Sequence, residues 1–201
     1  MDDWKVANPG KPVGEGGRQM VQRMNDSHKP LRDWAFSFLE WKHAMRILDV
    51  GCGGGAAIYE MLRLSKDSMV HGIDYSADCV AAASEYNAPD LYFRVFIEEG
   101  DVGALPYDSN RFDLVTAVET VYFWPDLSAG MKQILRVLKT GGTFAILCEV
   151  DGPERMDWDK VNFDIHVYRP EELKEMLEQT GFHDVEIHVK ENGYMLVTGK
   201  K

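Results

Sequence analysis

The stretch ILDVGCGGG, residues 47–55, runs from an apolar segment into a glycine turn ahead of a helix-like segment, a pattern that lets a ligand approach the backbone closely and meet its amides. Three acids stand at comparable places. Asp49 lies inside the end of that apolar run, Asp74 ends the next one in HGIDYS, and Asp101 follows the third in EEGDVGALPYD. A carboxylate at Asp49 attracts an ammonium group and repels a pyrophosphate. The two oxygens of Asp74 suit a vicinal diol of a ribose, and Asp101 is placed to accept from the exocyclic amine of an adenine. An adenosyl ligand with a cationic end answers all three. On spacing alone a nicotinamide dinucleotide also stays open, because Gly51, Gly53 and Ala56 satisfy G-x-G-x-x-A and Asp74 falls about 20 residues on.

Such a turn works only if a sheet holds it. Apolar runs at 46–50, 69–73, 93–98, 113–118 and 143–149 alternate with helix-like segments at 56–64, 77–86 and 127–138, which predicts parallel βαβ units in an α/β, doubly wound, Rossmann-like sheet. A helix over 170–180 carries Leu173, Met176 and Leu177 on one face and stops at Gly181, with Arg169 where a Ser or Thr cap is usual. Val185, Ile187 and Val189, then Asn192-Gly193, then Met195 and Val197 predict an antiparallel C-terminal hairpin, making about seven strands in all. Upstream, 8–17 holds two prolines and four glycines and reads as an arm, while Leu31, Trp34, Ala35, Phe38 and Leu39 mark an amphipathic helix over 30–39. Residues 1–45 are expected to form a helical N-terminal cover and 46–201 the ligand-binding body of one globular domain.

ILDVGCGGG, GIDYS, GDVGALPYDSNRFDLVTAVE and ILRVLKTGGTFAI resemble the successive motifs of class I S-adenosylmethionine-dependent methyltransferases, the group similar to ubiquinone and menaquinone biosynthesis methyltransferases. The resemblance covers 46–147. It implies S-adenosylmethionine as cofactor, S-adenosylhomocysteine as product and a methyl acceptor as substrate. By motif position it sets Asp49 and the turn Gly51-Cys52-Gly53 beside the methionine part, Asp74 on the ribose, Tyr75 and Val102 against the adenine with Asp101 at its edge, and Glu119 near the sulfonium. Thr140 departs from the proline usual before the two glycines, and the GxGGG form differs from the common turn.

On the acceptor side, ETVYFWP at 119–125 follows the fourth strand, where ligands of open α/β sheets bind. Tyr122 and Trp124 are expected to wall the acceptor pocket, with Glu119 holding the cofactor or acting as a base; the resemblance adds His28, His166 and Tyr168 from flanking segments that cover the site in similar enzymes. Methyl transfer from a sulfonium needs in-line approach and exclusion of water more than acid–base help, so no catalytic residue is assigned. Only Glu119 and Asp126 offer oxygen ligands near the fourth strand, so no metal is expected.

Composition narrows the acceptor. With 22 basic and 33 acidic residues the net charge is −11, which repels a polyanion, and neither an Asn/Asp-Pro-Pro-aromatic motif nor a Pro-Cys nucleophile of nucleic-acid methylation occurs. A small-molecule acceptor is therefore expected, and nucleic acid is not. No apolar run is long enough for a membrane span, and Cys52, Cys79 and Cys148 form no disulfide framework, which predicts a cytoplasmic protein. Two alternatives remain: an NAD-linked oxidoreductase, which calls for a second substrate domain or a Tyr-x-x-x-Lys pair, neither present, and a non-catalytic cofactor-binding module.

Overall fold

Five apolar runs form parallel strands, β1 (Arg46–Val50), β2 (Met69–Asp74), β3 (Val95–Glu99), β4 (Phe112–Val118) and β5 (Leu138–Cys148). In the computed structural model, which describes residues 9–10, 12, 14–158, 161 and 165–201, they join the antiparallel strands β6 (His183–Val189) and β7 (Met195–Lys200) in one sheet of order β3-β2-β1-β4-β5-β7-β6. The chain steps outward from β1 to β3 and then returns to lay β4 beside β1. The carboxyl ends of β1 and β4 therefore flank a crevice, the place where such sheets bind ligands.

Helices cover both faces, which is why the central strands are mostly apolar, with Asp49 and Thr116 as buried polar exceptions. Leu48, Val50, Val115, Phe144 and Ile146 pack on one face against Met131 and Ile134 of α5 (Leu127–Val137) and Leu173 and Leu177 of α6 (Pro170–Thr180). Their neighbours Ile47, Leu114, Ala145 and Leu147 point the other way, onto Leu31, Ala35 and Phe36 of α2 (Lys29–Phe36) and Ile58 and Met61 of α3 (Ala56–Leu64). Each fully buried side chain of this kind contributes roughly 1.5–3 kcal/mol. Caps set the helix starts: the Ser76 hydroxyl accepts from the Cys79 amide at 3.4 Å to open α4 (Ala77–Tyr86), and Asp126 accepts from the Ala129 amide at 2.9 Å to open α5. At α6 the Glu172 carboxylate accepts from the Arg169 amide at 2.7 Å, supplying a cap the Arg169 side chain cannot.

The elements from 46 onward agree with expectation except at two edges. β5 starts at Leu138 rather than 143, because Leu138 pairs with Phe112 and the C-terminal Lys201 bonds Gly141 and Gly142 across the start of the strand. β3 begins at Val95, past the exposed Tyr92 and Phe93.

The N-terminal region needs more correction. Residues 1–8, 11 and 13 of the expected arm and cover lie outside the described residues. From Gly14 the arm is already helix, α1 (Gly14–Ser27), despite Gly16 and Gly17. Tertiary contacts override their poor propensity: Val21 is buried, and the Gly14 amide donates to Asp78 of α4 at 2.8 Å. α2 ends at Phe36, and it is part of the body rather than a cover. Leu31 and Ala35 are enclosed in the core, and Arg32 forks onto Glu60 of α3 at 2.9 and 3.0 Å.

Candidate functional site

At the crevice, the turns after β1, β2 and β4 meet. Gly51 has φ 70°, and a Cβ there would overlap the Thr120 hydroxyl, so the turn after β1 lies directly on the loop after β4. The Gly51 and Cys52 amides donate to the Ile73 carbonyl at 2.8 and 3.1 Å, and the Gly53 amide donates to Asp74 Oδ2 at 2.9 Å. These amides therefore bond within the protein instead of facing a ligand, as the glycine pattern had led us to expect. What the turn offers is room: Gly53 has φ 51° and nothing stands within 4 Å of where its Cβ would be.

Asp74 is the joint between the first two turns. Its Oδ1 accepts from the Ser76 amide at 2.9 Å while Oδ2 holds Gly53. Burial raises its pKa, and the amides of Ser76 and Gly53 oppose the rise. Asp49 is 1 % exposed, and Thr116 Oγ1 donates to its Oδ1 at 2.6 Å. Burial pushes Asp49 up to about 7, against the Thr116 bond. A carboxyl so placed gains most from a cation beside it. Cys52 packs over Gly72 at the cavity wall. Farther along, Asp101 accepts from the Gly103 amide at 2.6 Å and so orders the turn carrying buried Val102, while the Tyr75 hydroxyl donates to the Gly10 carbonyl.

Past β4 the chemistry changes. Glu119 takes φ 55°, a left-handed conformation that non-glycine residues adopt rarely. In this pose its carboxylate accepts from the Tyr122 hydroxyl and from the Glu149 amide at the end of β5. His28, at the N-cap of α2, completes a group with Glu119 and Glu149 in which one ligand atom from each lies within 4.8 Å of the others. Burial pushes Glu119 up to about 8 and raises Glu149; burial and then the Arg32 charge lower His28 to about 4. Trp124 donates from Nε1 to Thr120 at 3.3 Å.

Asp49, Gly51, Cys52, Gly53, Asp74, Tyr75, Asp101, Val102, Glu119, Tyr122, Trp124 and His28 all line one cavity of about 470 Å³. His166 and Tyr168 do not. The segment after 164 is extended, so alternate residues point opposite ways: Ile165 and Val167 line the cavity, while His166 is exposed and its ring lies 4.4 Å from that of Tyr168. Asp126 caps α5 and takes no part. Sequence reasoning missed Asn25, Arg32, Thr116, Thr120 and Glu149. Glu149 carried a usable signal, since it stands just past a strand end as Asp74 and Glu119 do; Arg32 carried none, because its helix was read only for its apolar face.

Residues 42–183 match the family model described as a methyltransferase domain. An uncharacterised methyltransferase, YdaC of Bacillus subtilis, is 29 % identical over 174 residues, covering 83 % of this chain and 87 % of that protein. The ubiquinone/menaquinone biosynthesis C-methyltransferase UbiE of Geobacter sulfurreducens is 33 % identical over 115 residues, 56 % of this chain but 45 % of its own length, so the chain spans less than half of that relative. A crystal structure of a SAM-dependent methyltransferase from Aquifex aeolicus superposes with a TM-score of 0.76 at 17 % identity, over 90 % of this chain and 97 % of that one, a likeness of fold.

Proposed function

The chain belongs to the methyltransferase-domain family as an S-adenosylmethionine-dependent methyltransferase, and on that premise we propose that it methylates a small organic molecule held between the loop 119–124 and residues Ile165 and Val167. The observation that carries this reading is that one cavity is lined by two kinds of residue: the acids Asp49, Asp74 and Asp101 after the first three strands, and Tyr122, Phe123, Trp124, Ile165 and Val167 with the carboxyls of Glu119 and Glu149.

The first group suits the cofactor. Asp49, whose pKa burial raises to about 7, would hold its charge beside an α-ammonium; the carboxylate of Asp74 would take the ribose hydroxyls; Tyr75, Asp101 and Val102 would border the adenine; and the open side of Gly53 leaves space for the methionine part. When bound, S-adenosylmethionine supplies an electrophilic methyl group whose departure leaves a neutral thioether. The work left to this chain is to exclude water and align the acceptor, which the apolar walls at 122–124, 165 and 167 do. Glu119, with its pKa near 8, is positioned to take a proton from an acceptor hydroxyl or amine at a carboxylate oxygen.

A net charge of −11 supports a small acceptor over a nucleic acid. A cytoplasmic setting is supported by Cys52, Cys79 and Cys148 being buried free thiols; among the described residues no helix is long and apolar enough to cross a membrane.

The test is incubation of the protein with a metabolite extract and methyl-labelled S-adenosylmethionine, followed by identification of the labelled product. Label in a discrete small molecule is expected. Label confined to RNA or protein would overturn the acceptor class, and a melting temperature raised by NAD but by neither S-adenosylmethionine nor S-adenosylhomocysteine would overturn the site assignment.

A further inference from the structure

We propose that His28, Glu119 and Glu149 form a binding site for one first-row divalent metal ion in the cavity. These residues come from three separate places, the N-cap of α2, the loop after β4 and the end of β5, and the fold alone brings them together. One ligand atom from each lies within 4.8 Å of the others, a span that small side-chain rotations close to the roughly 2.0–2.2 Å bond lengths of imidazole and carboxylate ligands. The expectation of no metal counted only acids near β4. It could not see that β5 delivers Glu149, nor that α2 delivers an imidazole.

Two features beyond proximity point to an ion. The Glu119 carboxylate is turned onto the Glu149 amide at the end of β5. Both its oxygens are already oriented by donors, the Tyr122 hydroxyl and the Glu149 amide, the kind of outer bonding that fixes a carboxylate ligand in place. The donor set of one nitrogen and two oxygens is also mixed. A protonated amine would be satisfied by the carboxylates alone, whereas imidazole with carboxylate suits Zn²⁺, Mn²⁺, Fe²⁺ and Co²⁺. Three protein ligands leave coordination positions open, and all three residues line the cavity, so an acceptor bearing an oxygen would complete the shell. That last step rests on the methyltransferase reading; the ion itself does not.

The experiment therefore uses neither cofactor nor turnover. The full chain, stripped with chelator, is titrated with Co²⁺ and followed by its visible d–d absorption, with Glu149→Gln and His28→Asn titrated in parallel and thermal melts confirming that each is folded. Saturation at one equivalent by the native chain is expected, with affinity lowered at least about tenfold in each variant. Two variants are used so that either one decides the outcome if the other fails to fold. No saturable absorption at millimolar Co²⁺, or folded variants that titrate as the native chain does, would overturn the site, and would leave the cofactor assignment untouched.

Discussion

The floor of the cavity is tied to itself by bonds between strand ends: Thr116 to Asp49, Asp74 to the amides of Gly53 and Ser76, and the Gly51 and Cys52 amides to Ile73. The wall contributed by α1 is held differently. It meets the body through Val21, the Asn25 amide on the Gly54 carbonyl at 3.1 Å, Arg32 of α2 on the Asn25 carbonyl at 2.8 Å, and Gly14 on Asp78. The floor thus inherits the stability of the parallel sheet, whereas α1 can leave without breaking a strand, as low-stability elements over ligand sites do. Between them α2 looks like part of the wall in sequence but belongs to the floor, with Leu31, Ala35 and Phe36 in the core.

Deletion draws that border most sharply. A chain starting at Lys29 should stay folded and bind S-adenosylmethionine more weakly, while one starting at Trp41 should lose its cooperative melt. Removing the three apolar side chains and the Arg32–Glu60 pair costs an amount comparable to the roughly 5–15 kcal/mol a domain has. A cooperative melt in the shorter chain would return α2 to the cover. Next in size is Gly51→Ala. The left-handed φ and the overlap with Thr120 together should destabilise by about 2–4 kcal/mol in urea unfolding, and an unchanged midpoint would show that the two loops are not in contact.

Asp74→Ala probes ligand and floor at once. Net loss equivalent to one charge-assisted bond, worth about 1.5–3 kcal/mol, should weaken S-adenosylmethionine roughly ten- to a hundredfold by calorimetric titration. The carboxylate also ties the Gly53 and Ser76 amides, so the variant should melt lower as well, which a view of Asp74 as a ligand contact only would not predict. Asp67→Asn, in the exposed turn before β2, is the control: it removes a carboxylate but keeps a residue that tolerates the left-handed φ of 59°, and it should change neither. Equal affinity for the native chain and folded Asp74→Ala would remove Asp74 from the site.

The floor was legible in sequence because its information is local: an apolar run, a glycine turn and an acid at a strand end all lie within a few residues of one another, and β1, α3, α4 and α6 fall where their patterns end. α1 was not legible, since Gly16 and Gly17 argue against a helix and only contact with α4 and the glycine turn outweighs them. His166 and Tyr168 were drawn toward the site by residue type, yet the alternation of the segment decides which residues face inward; Ile165 and Val167 alternate with them in the sequence, a period of two that was legible and went unused. The meeting of His28 with Glu149 is long-range in sequence and leaves no local trace.

The smallest effect expected on this contrast is electrostatic. Asp49 titrates near 7 in the folded protein against an ordinary value of 3.8, so between those limits the folded state keeps a proton that the unfolded chain releases, and stability falls as pH rises through about 7. His71, beneath the sheet's other end, has the opposite sign: burial, then the Arg111 charge, lower it from 6.5 to about 4, so its share of stability is lost as pH falls through that interval. The unfolded chain still releases its His71 proton around 6.5, but it does so equally in the native chain and in Asp49→Asn, so that contribution cancels when the two are compared. Asp49→Asn keeps the shape and the Thr116 bond but cannot ionise. The fall in unfolding free energy of the ligand-free protein between about pH 6.5 and 8 should therefore shrink by roughly 1 kcal/mol in this variant. Glu119, raised for the same reason, keeps part of the slope in place. His71→Phe should instead flatten the acid side and leave the slope above about pH 7.5 alone. Identical alkaline slopes for the native chain and Asp49→Asn would mean that Asp49 is solvated in solution, and the floor would then be as open as the wall that covers it.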